Sequence, residues 1–124
     1  MILIQEENFN DKNIQRWIRW MDAEVFPDDK PVAFSYGSRW FVGYSNQEPV
    51  CYAAWRPHYP QASINELHLW KSEGFLYRAG VLKDYRGHGL QKKLIESREI
   101  DMRKSGVRRS VTYTDPESAA SMRS

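Results

Sequence analysis

The sequence predicts a mixed α/β fold, and three observations carry that reading. The apolar pattern alternates between strand-like and helical spacing, in the order strand, helix, hairpin, strand, glycine turn, helix, strand and the start of a helix. At the centre, the branched and aromatic run Phe75–Leu82 passes through Tyr85-Arg86-Gly87-His88-Gly89 into a helical stretch. A strand–helix–strand unit of this kind is expected to pair its strands in parallel, or nearly so, with a right-handed crossover. Finally, 124 residues, 41% hydrophobic and 27% charged, suffice for one modest core and not for two. A single domain over 1–124 is therefore expected.

Met1–Gln5 reads as the first strand. Asn8 or Asn10 can cap a helix that begins near Asp11, because either side chain accepts from free amides. Ile14, Trp17, Ile18, Met21 and Val25 recur at helical spacing, with Lys12, Arg16, Arg19 and Asp22 assigned to the opposite face, and the helix ends before Pro27. Asp28–Gly37 connects without a clear structure. Arg39–Tyr44 and Val50–Trp55 read as a β-hairpin around Ser45-Asn46-Gln47-Glu48-Pro49. Arg56-Pro57-His58-Tyr59-Pro60 breaks its second strand, and Ile64–Trp70 is either a short strand or an irregular insertion. The helix after the glycine turn runs from about Leu90 to Ser105 and stops at Gly106. Val107–Thr114 is a further strand, and Pro116 sits well at the first position of a last helix.

Composition narrows the function classes. Cys51 is the sole cysteine, so no intrachain disulfide can form and a reducing cytoplasm is expected. No apolar run approaches the ~18 residues of a membrane span, and no membrane partner is expected. Residues 1–70 hold six Lys/Arg against nine Asp/Glu, whereas residues 71–124 hold twelve against seven. A basic second half around a helix N-terminus suits a phosphorylated ligand. Nucleic acid is the rival reading, disfavoured because Lys92-Lys93 and Arg108-Arg109 are short pairs and not a stripe. His58 and His68 have no companion at metal-ligand spacing, so no metal is expected. No Ser-His-Asp grouping or Walker-type lysine turn is visible.

The strand, glycine turn and helix N-terminus together make an anion site, because unpaired amides and the positive end of the helix dipole converge there. Gly87 and Gly89 alone are weak evidence; their flanks are more specific. Ala79-Gly80-Val81-Leu82-x-x-Tyr85-Arg86-Gly87-His88-Gly89-Leu90-x-x-x-Leu94-Ile95 closely resembles the coenzyme A motif of the GNAT N-acetyltransferase superfamily. That signature is Arg or Gln, two residues, Gly, any residue, then Gly or Ala, and it falls on Arg86, Gly89 and Gln91. Tyr113-Thr114-Asp115-Pro116-Glu117-Ser118-Ala119-Ala120-Ser121 is similar to the segment after the next strand.

The resemblance implies a mixed, mostly antiparallel sheet with helices on both faces, the acyl-CoA N-acyltransferase fold. It implies acetyl-CoA as co-substrate and an amine, small molecule or protein, as acceptor. The pyrophosphate would lie on the backbone amides from Gly87 through His88, Gly89, Leu90 and Gln91 to Lys92, with Arg86 adding a charge-assisted contact. The pantetheine arm would run along Ala79, Gly80 and Val81, and Ser118 and Ser121 would meet it further on. Gln91 replaces the usual small residue, which sets crowding near the phosphates, and Ser118 replaces a common Asn. The tyrosine that many relatives place about seven residues after that Asn has no counterpart before Ser124, and the last two strands are not represented. Either a second subunit covers the sheet edge left beside the cofactor, as a homodimer, or the chain is a C-terminally shortened form, the expectation we prefer.

For proton transfer, Tyr113 is a candidate acid and Glu66 a candidate base acting through water, with a packed tyrosine and a solvated carboxylate as the plainer readings. Glu73 shares the second reading, and Arg78 either orients an acidic substrate or faces solvent. His88 is expected to contribute its backbone and not its ring. Trp17, Trp20, Trp40 and Trp55 are candidates for the wall of an acceptor pocket. The expected function is direct transfer of an acetyl group from acetyl-CoA to a primary amine. The alternative is a non-catalytic coenzyme-binding or protein-interaction module on the same fold.

Overall fold

A computed structural model of the protein describes residues 2–34, 37–57, 73–107 and 109–111. In chain order these form β1 (Ile2–Glu7), α1 (Lys12–Val25), β2 (Arg39–Ser45), β3 (Glu48–Pro57), β4 (Glu73–Val81), a 3₁₀ turn (Lys83–Tyr85), α2 (Leu90–Lys104) and β5 (Arg109–Val111). The strands lie side by side in sequence order. The first three pairings are antiparallel, and β4 pairs β5 in parallel through Glu73–Phe75 and Arg109–Val111. The parallel pairing expected for the strand–helix–strand unit is present.

Helix α1 begins one residue later than a cap at Asn10 would set it. Asp11, in extended conformation, caps the helix by accepting from the Asn13 amide at 2.8 Å. Asn8 is used one turn earlier, its Oδ1 accepting from the Asn10 amide at 2.9 Å. Ile14, Ile18 and Met21 then pack against Trp40, Val42, Tyr52 and Ala54. Asp22, expected on the polar face, is instead buried at 3% exposure. Its position, four after Ile18, lies on the flank of the apolar stripe.

The hairpin between β2 and β3 closes more tightly than the five-residue loop expected. Ser45 pairs with Glu48, leaving a two-residue turn in which Asn46 and Gln47 have φ of 51° and 70°. Two positive φ values give the turn a twist that matches the strands it joins. Strand β3 also runs past the expected break, pairing Arg56 with Phe75 and Pro57 with Gly74. Proline is tolerated there because it ends the strand.

Among the described residues, each face of the sheet carries one helix. Helix α1 covers the face of Trp40, Val42, Tyr52 and Ala54. Helix α2 covers the other, Leu90 and Leu94 packing with Val50, Cys51, Ala53 and Val81, while Met102 and Val107 pack with Phe41 and Trp55. Each such side chain contributes roughly 1.5–3 kcal/mol on burial. Arg39 locks the end of α2 to the sheet, holding Asp101 through Nε at 2.6 Å and Nη2 at 3.0 Å, and Glu6 through Nη2 at 3.0 Å. The mixed, mostly antiparallel sheet with helices on both faces is the fold expected.

Candidate functional site

The site grows from the end of β4. Leu82 N–H donates to Val50 O at 3.0 Å, so the main-chain groups of Leu82, and with them those of Gly80, face β3. Strand geometry then turns the main-chain groups of Ala79 and Val81 the other way. On that side the described pairing with β5 ends at Phe75. Gly80 is required by close approach: a Cβ there would stand 2.7 Å from the Tyr52 ring.

The chain leaves β4 through the 3₁₀ turn, with Tyr85 N–H on Leu82 O at 2.9 Å and Arg86 N–H on Lys83 O at 3.3 Å. Arg86 reaches back, its Nε donating to Val81 O at 3.0 Å, which ties the turn to the strand end. Gly87 and Gly89 follow with φ of 85° and 74°, values that L side chains rarely adopt. Gly89 stands at the N-cap position of α2, and no side chain caps it. Lys93 N–H, on Gly89 O at 3.2 Å, is the first to close onto the helix. The amides of the first turn have no intrahelical acceptor, and the helix dipole adds positive potential in front of them. Arg86, Gly87, His88 and Lys92 are exposed around this end.

Ala79, Gly80, Val81, Arg86, Gly87, His88, Gly89, Leu90, Gln91 and Lys92 therefore form one continuous edge, from the end of β4 to the first turn of α2. Gln91 is buried at 2% exposure in the first turn of α2. Glu66, Tyr113, Ser118 and Ser121 lie outside the described residues. Trp40 and Trp55 are buried in the core on opposite faces, and neither shapes a pocket wall. Trp20 stands on the outer side of α1, and Trp17 at the margin of that side, edge-on to Tyr44 of β2 at 6.1 Å.

A buried charge cluster beside this edge went unforeseen. Register slips between Ala54 and Trp55: Ala54 faces Arg78 and Trp55 faces Leu76, so Tyr77 is the extra residue of a bulge. Next to it, Arg78 grips Asp22 through Nε at 2.7 Å and Nη2 at 2.9 Å. Its Nη1 lies 3.4 Å from Asp29, and the Phe26 ring centroid is 4.3 Å from its guanidinium carbon. Tyr52 O–H also donates to Asp22. Burial opposes the charge of Arg78, but the hydrogen bonds and charge of Asp22 outweigh it and raise its pKa above the ordinary arginine value. Burial, then the Asp22 charge, raises the Tyr52 hydroxyl. Arg78 is thus committed to Asp22 and is not a solvent-facing side chain. The signal in the sequence was an arginine inside an apolar strand and an aspartate beside an apolar helical stripe.

Tyr77 O–H donates to Ala33 O at 2.8 Å and holds the segment after α1 against the bulge. Asp29, Lys30, Pro31, Val32, Ala33, Tyr77 and Arg78 line a cleft of about 400 Å³ there. Two other clefts, one running from Glu6 to Arg39 and one between Leu3 and Tyr44, share no residue with the glycine turn. Among the described residues no group of three or more His, Cys, Asp or Glu could hold a metal. Among the described residues no helix is long and apolar enough to cross a membrane.

A model of the acetyltransferase (GNAT) family matches residues 4–123. No curated protein matches the sequence. Among solved structures, an aminoglycoside acetyltransferase from an uncultured soil metagenomic sample, in complex with trehalose, superposes with a TM-score of 0.75 at 14% identity, over 96% of this chain and 81% of that one. A ribosomal-protein-alanine N-acetyltransferase from Brucella melitensis biovar Abortus 2308 gives a TM-score of 0.73 at 13% identity, over 97% and 86%. A GNAT family acetyltransferase from Brucella melitensis in complex with acetyl-CoA gives 0.69 at 21% identity, over 93% and 77%. At these identities the likeness is one of fold.

Proposed function

This chain belongs to the acetyltransferase (GNAT) family, and from that premise we propose that it transfers the acetyl group of acetyl-CoA directly to a primary amine. The observation that carries the reading is the turn: two positive-φ glycines, an N-terminus with no side-chain cap, and exposed Arg86 and Lys92 around it. A pyrophosphate needs several donors converging over a short span, and this end of α2 has them. The chemistry of the donor set fits coenzyme A.

In this reading the first-turn amides of α2 and Arg86 hold the pyrophosphate. The outward main-chain groups of Ala79 and Val81 receive the pantetheine arm as an added strand would be received. Acetyl-CoA supplies the activated thioester carbonyl. The cleft at Tyr77 and Arg78 immediately precedes Ala79 on the same strand, so an amine seated there approaches that carbonyl from the α1 side. The new nitrogen–carbon bond forms as the carbon–sulfur bond breaks, one proton leaves the amine and the thiolate gains one. Glu66, through water, and Tyr113 are the residues assigned to those protons. Ser118 and Ser121 are assigned to the coenzyme arm.

Thiol release from acetyl-CoA is the direct test, run with an aminoglycoside, a polyamine, and peptides offering an N-terminal or a lysine amine. Turnover with one class and calorimetric binding of coenzyme A are expected. Binding without thiol release for every amine would make the protein a coenzyme-binding module. No binding at all would overturn the site.

A further inference from the structure

Helix α1 turns Ile14, Ile18 and Met21 to the sheet and leaves its other side to solvent. That outer side carries Arg16, Trp20, Ala23 and Glu24, with Trp20 at 50% exposure, and Trp17 stands at its margin at 37%, edge-on to Tyr44. Two large indoles on successive turns form an apolar patch of the kind that marks an interaction surface. The charges of the helix also run against its dipole. Beyond the capping Asp11, there is no acid in the first turn and no base in the last. Lys12 opens the helix, and Glu24 stands one residue before its end. Among the described residues neither Lys12, Arg16 nor Glu24 forms an ion pair within the chain.

We propose that this face is the two-fold interface of a homodimer, with α1 of a second copy packed antiparallel across it. At ~1.5 Å rise per residue, an axis placed at Trp20 sets residues equally far from it, on either side, at one height. Arg16 then meets Glu24 of the second copy, Trp17 lies beside Ala23 of the second copy, and Trp20 meets its own counterpart. The Arg16 and Trp17 contacts are each made twice, positive on negative and large on small, and the Trp20 contact once, on the axis, as an isologous interface requires. The antiparallel setting also lays the cationic first half of each helix beside the C-terminal half of the other, compensating both dipoles. A nucleic acid or an anionic bilayer would instead meet the Glu24 carboxylate inside the patch. One helix face is a small interface, so a micromolar dimer is expected. The inference is independent of acetyl transfer.

Sedimentation velocity from micromolar to hundreds of micromolar protein tests it. The unmodified chain is expected to pass from monomer to dimer. Arg16→Glu and Glu24→Arg should each weaken the dimer by about tenfold or more, and the double exchange should return it to within about threefold. The two residues stand more than two turns apart on their own helix, so no pairing within one chain produces that rescue. Trp20→Glu should leave a monomer. All three positions are exposed, so far-UV circular dichroism and melting temperature should match the unmodified protein. A monomer at every concentration overturns the proposal. So does a dimer indifferent to these changes, which would place the contact elsewhere, such as a sheet edge. A monomer that instead sediments with phosphatidylglycerol-containing vesicles would assign the face to a bilayer.

Discussion

Arg86 and Gly89 act on the turn by different means, and their substitutions should separate accordingly. Arg86→Ala removes both a charge and the Nε bond to Val81 O. Loss of one charge-assisted contact should weaken coenzyme A binding by about tenfold in calorimetry. Gly89→Glu should abolish binding, because it forces a side chain into φ of 74° and sets a carboxylate before the amides. Unchanged affinity in both would place the anion site elsewhere. Cys51 gives a second residue-scale outcome. Burial, partly offset by a hydrogen bond from the Gly43 backbone, pushes its thiol from 9.0 up to about 12. The unfolded chain therefore loses this proton at lower pH than the folded one does. Stability from this group should be whole below pH 9 and fall as pH rises from there toward 12. At neutral pH a thiol reagent should label Cys51 at the rate of unfolding.

Helix α1 and strands β3 and β4 meet at the Asp22 cluster, so its loss should be felt across three elements. Asp22→Ala takes the buried acceptor from Tyr52 and leaves Arg78 only its longer contact with Asp29 at 3.4 Å. The cost in urea denaturation should be about 3 kcal/mol, the lower end for a buried pair because Arg78 keeps 22% side-chain exposure. The double change Asp22→Leu with Arg78→Leu should cost less than the sum of the single changes, since neither charge is then left alone. Arg98 plays the matching part for α2. It is 3% exposed, burial lowers its pKa to about 10, and its Nη1 donates to Ala54 O at 3.0 Å where the register slips. Arg98→Met leaves that buried carbonyl without this donor and should cost about 1–3 kcal/mol in the same assay.

Across the whole molecule, charge is divided between an acidic first half and a basic second half. Coenzyme A is a polyanion, so its binding should weaken severalfold between low and high salt as the Debye length falls from about 10 Å at 0.1 M to about 3 Å at 1 M. Affinity indifferent to salt would mean that contacts other than charge hold the ligand. The division of the sheet also explains what could be read in advance. Strands β2 and β3 are covered on both faces and read as continuous apolar runs, so the strands themselves were legible from composition. Which helix covers Trp40 and which covers Trp55 depends on the side of the sheet each helix crosses, and spacing does not encode that.

The sequence by itself determined the turn from Val81 to Lys92, because strand end, glycine conformation and helix start are local and lie within one short stretch. It determined the α1 stripe for the same reason. Only the tertiary structure decided that Asp22 belongs with Arg78, fifty-six residues away. It also decided that the hairpin closes on two residues, that β4 bulges at Tyr77, and that two of the four singled-out tryptophans are core. Each of these depends on register between strands or on which face a helix covers. Such contacts are settled when the chain packs, and no window along the sequence contains both partners.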